Sequence, residues 1–173
     1  MSDEIPNSVV SDTSFVLPDG QRILRHEVSV HASLAEVWQV FTTSEGLRSF
    51  AAPIATIDLR IGGLWEATYD LNGRLGVDTN ILNEVISFLP MEMLSIRIAR
   101  TPPGFPHPEV VKDIWTVIQF KAEGERRVRV ITSMVGWKSG AAHEAVYNLF
   151  QRGNAHTAQW LYERFENGPR KWA

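Results

Sequence analysis

The sequence of 173 residues contains no cysteine. That excludes disulfides, zinc–thiolate sites, iron–sulfur clusters and cysteine nucleophiles together. Long apolar runs are also missing. None approaches the roughly 18 residues that mark a membrane-spanning helix. A basic excess is absent as well: 17 Lys and Arg against 20 Asp and Glu leave a formal charge of −3. Neither nucleic acid nor an anionic membrane surface is therefore an expected partner. The opening Met1-Ser2-Asp3-Glu4 is acidic and lacks the apolar stretch of a signal peptide, so the expected location is cytoplasmic.

Chemical motifs are equally scarce. There is no P-loop, no G-x-G-x-x-G, no G-x-S-x-G and no H-E-x-x-H. The five histidines are scattered. His26 and His31 lie in a strand-like stretch at odd spacing, so they point to opposite faces. His143 and His156 fall about 220° apart around a helix. No metal site, cofactor or catalytic residue is assigned, and enzyme activity is an open alternative rather than the expectation.

What is present reads as an ordinary globular chain, 44% hydrophobic and 21% charged. Residues 1–20 form an aperiodic tail broken by Pro6, Asn7, Pro18 and Gly20, with a docking end and a frayed start expected. One domain is expected over residues 21–173. Arg22 to His31 alternates, placing Leu24, His26, Val28 and Val30 in one phase of a half-buried strand. Ser33 with Glu36 makes a capping box for a short helix, Leu34 to Thr43, and a second turn spans Glu45 to Phe50. Strands then follow at Thr56 to Ile61, Leu64 to Asp70, Thr79 to Leu89 and Leu94 to Arg100. Two more cover Asp113 to Ala122 and Arg126 to Trp137. Gly62-Gly63 reads as a tight hairpin turn.

The last element runs from Ala141 to Asn167 without a stop signal until Gly168-Pro169. At 100° per residue, Val146, Leu149, Phe150, Gly153, Thr157, Trp160, Leu161 and Arg164 share a stripe. The order is strand, helix pair, strands, long helix. Strands and helices so segregated make an α+β fold. The expected architecture is a curved antiparallel sheet of about 6–7 strands wrapped round a long C-terminal helix, with two short helices after the first strand.

The segment Val28-Ser29-Val30-His31-Ala32-Ser33-Leu34-Ala35-Glu36-Val37-Trp38 resembles the opening of the START-like (SRPBCC, helix-grip, Bet-v-like) superfamily. Thr42 to Leu47 resembles its helix-to-helix turn. Ile57 to Gly63 is similar to the strand and Gly-Gly hairpin of the branch resembling the activator of the heat-shock chaperone ATPase. Gly153 to Leu161, closing at Phe165 to Pro169, fits the gripped helix. The resemblance covers about Gln21 to Gly168. It implies a hydrophobic cavity between sheet and last helix. The superfamily includes lipid carriers, hormone receptors, polyketide aromatase/cyclases and chaperone activators. It thus implies a small hydrophobic or aromatic ligand. A cyclase-, dehydratase- or hydrolase-type cavity enzyme and a chaperone-activator-like interaction module stay as alternatives.

The residues support a cavity on their own terms. Gly153 and Thr157 are small for the inward stripe of a helix, leaving either room for a ligand or close packing against Trp65 or Trp115. The candidate lining set is Trp65, Trp115, Phe150, Gly153, Thr157, Trp160 and His26. His26 reads either as a polar ligand contact or as a buried histidine bonded to backbone. Asn83 and Thr132 sit in strands of mixed polarity and are weaker candidates. Which phase of Leu64 to Asp70 faces inward is open, and Trp65 and Tyr69 leave a homodimer open too. Glu66 and Arg97 are expected to be solvated. The proline-rich run Thr101 to Pro108 is either a surface connection or a lid with Phe105 as plug.

Overall fold

The computed structural model describes residues 9–173. The described chain opens with β1 (Val10–Asp12), β2 (Phe15–Val16) and β3 (Arg22–Val30), then α1 (Leu34–Thr42) and α2 (Ser44–Arg48). β4 (Ile54–Ile57), β5 (Leu64–Thr68), β6 (Ile81–Leu89) and β7 (Met93–Arg100) follow. A 3-10 turn at Val110–Asp113 leads into β8 (Trp115–Gly124) and β9 (Arg127–Val135). The long helix α3 (Ala141–Asn167) comes last. The strands form one sheet in the order β1-β3-β9-β8-β7-β6-β5-β4, with β2 beside β3.

Seven strands match the seven read from periodicity. The other two come from the stretch assigned to a tail. Val10–Asp12 pairs with Val28 to His26, and Phe15–Val16 with Ile23 and Arg22. Strands this short carry too few residues to show alternation. The expected frayed start, up to residue 8, lies outside the described residues.

The sheet bends because its ladders are interrupted. Register shifts fall at Leu82/Asn83 and Val85/Ser87 between β6 and β7, and at Ala122/Gly124 between β8 and β9. An extra residue on one strand kinks it and increases its twist. The edge strand β4 is covered rather than left open. Ser44 Oγ accepts from the Ile57 N–H at 3.1 Å, and Arg48 donates to the Ala55 carbonyl at 3.1 Å. Both come from α2, so that short helix closes a sheet edge that would otherwise invite pairing.

The Gly-Gly turn is wider than its sequence suggests. β4 ends at Ile57, and residues 58–63 loop back. Gly62 donates to the Val85 carbonyl and Val85 donates to that of Gly63, both at 2.8 Å. A Cβ on Gly63 would lie 2.0 Å from the Asp58 carbonyl oxygen. Glycine is required there by close backbone approach.

Two apolar clusters hold the fold. One joins α1 and α2 to the sheet and to the end of α3, with Val37, Phe41, Phe50, Val130 and Leu161 buried. Phe41 packs edge-on to both Phe50 and Phe120. The other lies near the start of α3, where Trp137 meets Tyr147, Val146, Val110 and Met134. The capping box at α1 forms as read: Glu36 N–H reaches Ser33 Oγ, and the Glu36 carboxylate accepts from Ser33 N–H. Glu36 is held below the usual carboxylate range chiefly by that Ser33 backbone bond.

Candidate ligand cavity

Between the two clusters the sheet and α3 separate, leaving a cavity of about 170 Å³. For scale, an engineered apolar cavity of roughly 150 Å³ binds benzene. Phe41, Phe50, Trp65, Ile96, Ile118 and Leu161 supply much of its wall. α3 contributes Phe150, Asn154, Thr157 and Ala158 above the sheet. Tyr69 borders the space while 62% exposed, so it marks a rim. Protein packed behind Tyr69 pushes its phenol pKa up, and the group is neutral at pH 7. Phe105, in the proline-rich loop, lies 6.1 Å from Phe150, ring centre to ring centre. Phe105 packs against the second cluster, which includes Val110 of the 3-10 turn that follows, so the loop is tied to that cluster rather than being a bare surface connection.

The polar part of the wall is small and specific. His26 is 3% exposed and faces Thr132 directly across the β3–β9 ladder. Its Nε2 sits 4.0 Å from Asp12 Oδ2 on the neighbouring strand β1. Its Nδ1 is buried without a hydrogen-bond partner. Burial pushes the His26 pKa down, with Asp12 opposing in part. Asp12 is itself fixed. Burial raises its pKa, but bonds from Ser14 and Gln151 outweigh that and hold the carboxyl below its ordinary value. The Gln151 bond, 2.9 Å, ties α3 to the sheet edge. Asn154 Nδ2 contacts Met134 Sδ at 3.1 Å, and Thr157 Oγ1 donates back to the Gly153 carbonyl at 3.0 Å.

Of the candidate lining residues, the structure places His26, Trp65, Phe150 and Thr157 on the cavity wall. Three others lie elsewhere. Trp115 is 46% exposed on the outer face, because Thr116, Ile118 and Phe120 take the inward phase of β8. Gly153 faces open space; a Cβ there would meet nothing within 4 Å. Trp160 packs on Trp172 and under Arg170, on the side of α3 that meets the chain's last residues. One cause accounts for both helix errors. The inward stripe runs through Phe150, Asn154, Ala158 and Leu161, about one residue round from the expected line. Asn154 and Ala158 were missed; the i+4 steps from Phe150 carried the signal. Asn83 and Thr132 also line the space, and so does Tyr69.

Glu66 takes a different role from a solvated side chain. Its Oε1 accepts from the Gly76 N–H at 2.7 Å and from Asn80 Nδ2 at 2.6 Å, pinning the loop after β5. Arg97 is exposed as expected and pairs with Glu84 at 2.7 Å. The hairpin tip is a charged cluster in which Arg129, Ser29 and Arg127 hold Glu123 down at about 2. Among the described residues no cluster of three or more His, Asp or Glu is arranged to hold a metal, and no helix is long and apolar enough to cross a membrane.

The profile of the Activator of Hsp90 ATPase homolog 1-like protein family matches residues 31–166. The chain belongs to this family. No curated protein matches the sequence. Among solved structures, the Activator of Hsp90 ATPase homolog 1-like fold seen here is similar to the Aha1 dimer from Colwellia psychrerythraea. The identity is 16%, the TM-score 0.66, and the match covers 84% of this chain and 97% of that one. CalU16 from Micromonospora echinospora is 16% identical, with TM-score 0.54 and coverage of 94% and 85%. DynU16, from the dynemicin biosynthetic locus, is 14% identical with TM-score 0.62, over 85% of this chain and 48% of that one. These likenesses show that the family member has the helix-grip fold expected from its sequence.

Proposed function

We propose that this chain binds a small hydrophobic or aromatic molecule in the space between the curved sheet and α3. The observation that carries the reading is the unfilled, mostly apolar cavity at the middle of an otherwise well-packed helix. Small-molecule sites combine apolar walls with a few placed polar groups. His26, Asn83, Thr132 and Asn154 fit that description. The size favours a compact ring over a long acyl chain. The binding set is His26, Trp65, Phe150 and Thr157, joined by Asn154, Asn83 and Thr132.

A second reading, interaction with a protein partner or with another copy, has its own support. The family is named for an ATPase activator, and one structural relative is a dimer. Ile61, Leu64, Tyr69 and Leu71 are exposed near one another in sequence around β5. Against an apolar docking face on the outer sheet stand the ion pairs Arg25–Glu27 and Arg97–Glu84. An enzymatic reading has the His26–Asp12 pair and the rim phenol of Tyr69 to offer, among the described residues, as proton-handling groups.

Native mass spectrometry of freshly purified protein, with organic extraction of co-purifying material, tests the binding reading. A bound apolar or aromatic compound, or a thermal shift with small aromatics, is expected. Repeated recovery of empty protein with no shift across such a panel would overturn it.

A further inference from the structure

Two buried asparagines, close together in the chain, are used in opposite ways. Asn80 is 2% exposed and fully engaged: its Nδ2 donates to Glu66 Oε1 at 2.6 Å and to the Arg74 carbonyl at 2.7 Å. Asn83, on β6, is 8% exposed and lines the cavity. Its side-chain amide makes no hydrogen bond to the protein among the described residues. His26 Nδ1 and Arg100 Nε are also unpaired, but those atoms are sealed; both amide atoms of Asn83 keep open surface. A buried polar group left unpaired costs about 1–3 kcal/mol.

The sheet aims that amide inward. Asn83 pairs with Trp65 on one side and Ile98 on the other, and both line the same cavity. Val85, next in the same phase, is 0% exposed core. Asparagine is disfavoured in strands and among buried apolar side chains, so stability of the sheet does not select it here. A register shift falls at the same point: Leu82 pairs with Arg100 and Asn83 with Ile98, which leaves Ala99 as the extra residue. Such a bulge re-aims the side chains beside it. In the other direction along this phase comes Ile81, opposite Ala67 and near the rim residue Tyr69. Asn83 thus stands one step inside the opening.

The chemistry of the amide sets its complement. Oδ1 is an acceptor and Nδ2 a donor, side by side. A ligand satisfies both when it carries a donor and an acceptor on one edge. Open-chain secondary amides are trans and hold N–H and C=O on opposite edges. A small ring forces them onto the same edge. A ketone, an ether or a hydrocarbon leaves at least one end of the Asn83 amide unpaired. Charge narrows the class further. Among the described residues no Lys, Arg, Asp or Glu lines the cavity, so a buried ion would lack a counter-charge and a neutral group is favoured. The volume admits about one ring, and Trp65, Phe41, Phe50 and Phe150 offer it aromatic faces.

We propose that Asn83 is the specificity-determining residue of the cavity and takes a neutral, single-ring cyclic amide, with Oδ1 accepting from the ring N–H while Nδ2 donates to the ring C=O. This rests on the cavity-binding reading and names its ligand class.

The test titrates two single-ring probes, 2-pyridone and toluene, by NMR into the full chain and into Asn83→Leu. The ratio of their affinities should move against 2-pyridone in the variant by about ten- to hundredfold, the worth of two net hydrogen bonds. Independently of any variant, intermolecular nuclear Overhauser effects in the wild type should place the N–H and C=O edge of 2-pyridone beside the Asn83 side-chain amide. An unchanged ratio, or that edge lying elsewhere in the cavity, overturns the cyclic-amide site. Binding of toluene but not of 2-pyridone to the wild type sinks this inference and leaves the cavity reading standing. Failure of both probes to bind the wild type removes both.

Discussion

The two ends of α3 differ from its middle. Near its start, Val146 and Tyr147 are buried against Trp137, whose indole donates to the Met134 carbonyl at 3.0 Å. Near its end, Leu161 is 1% exposed among the residues that α1 and α2 bring to the sheet. Between them, Phe150, Asn154 and Ala158 look onto empty space. One helix is thus clamped at both ends and bridges a gap. The lesson is that a helix-grip fold can keep its stability and its cavity in different places. Apolar area is buried where α3 is clamped, and small or polar residues stand where it is not.

If that division is right, substitutions at the clamps cost most. Trp137→Ala should destabilise by about 3–5 kcal/mol and Leu161→Ala by about 2–5 kcal/mol. Urea denaturation midpoints measure both. Losses below 1 kcal/mol at either site would mean that α3 is not clamped there.

The gap should respond in the opposite sense. Asn154→Leu places a larger apolar side chain into open volume, where Asn154 has only a contact to Met134 Sδ. Added helix propensity and burial predict a gain of about 1 kcal/mol, with loss of small-aromatic binding. Overpacking would instead cost about 1–3 kcal/mol. A raised midpoint with binding abolished supports the division; a lowered midpoint shows the middle to be packed after all.

Gly153 sharpens the point on the other side of the same helical turn. It faces open space, so Gly153→Ala should stabilise by roughly 0.5–1 kcal/mol through backbone entropy alone. Ligand affinity should not change. A drop in affinity would return Gly153 to the cavity wall.

Much of this architecture is legible in the sequence, and the parts that are not share a cause. Strong local signals survive folding: the Ser33–Glu36 capping box, the alternation of Arg22 to Val30, and the uninterrupted run from Ala141 to Asn167. The Gly62-Gly63 pair marks a turn, but its width depends on Val85 of another strand, and no local pattern encodes that. The cavity residues divide the same way. His26, Phe150 and Thr157 follow from phase, and Trp65 lines the cavity on a strand whose phase the sequence left open, whereas Trp115 was misplaced because Thr116, Ile118 and Phe120 take the inward phase of β8. In α3 the apolar stripe is ambiguous by about one residue, since Trp160 and Leu161 are adjacent and both apolar. The C-terminal residues decide it. Arg170 and Trp172 draw Trp160 outward, which leaves Leu161 for the core and Asn154 for the cavity. That is a contact with the last few residues of the chain, invisible to helical periodicity.

The smallest expected effect is a change of slope with pH, and it belongs to the gap rather than the clamps. Burial lowers the folded-state pKa of His26 below its ordinary value of 6.5. Between those values the unfolded chain binds more protons than the folded one. Stability is therefore complete above pH 6.5 and erodes as pH falls from there through the folded value. Asp12 opposes the shift in part. The carboxylates held low, Asp12, Glu36, Asp113 and Glu123, begin to contribute only below about pH 4.5 and leave this window clear. Denaturation midpoints between pH 7.5 and 5.5 should decline less in His26→Leu than in the wild type. Parallel curves would mean that His26 is not held neutral, and with that the distinction between an uncharged cavity and a charged one would disappear.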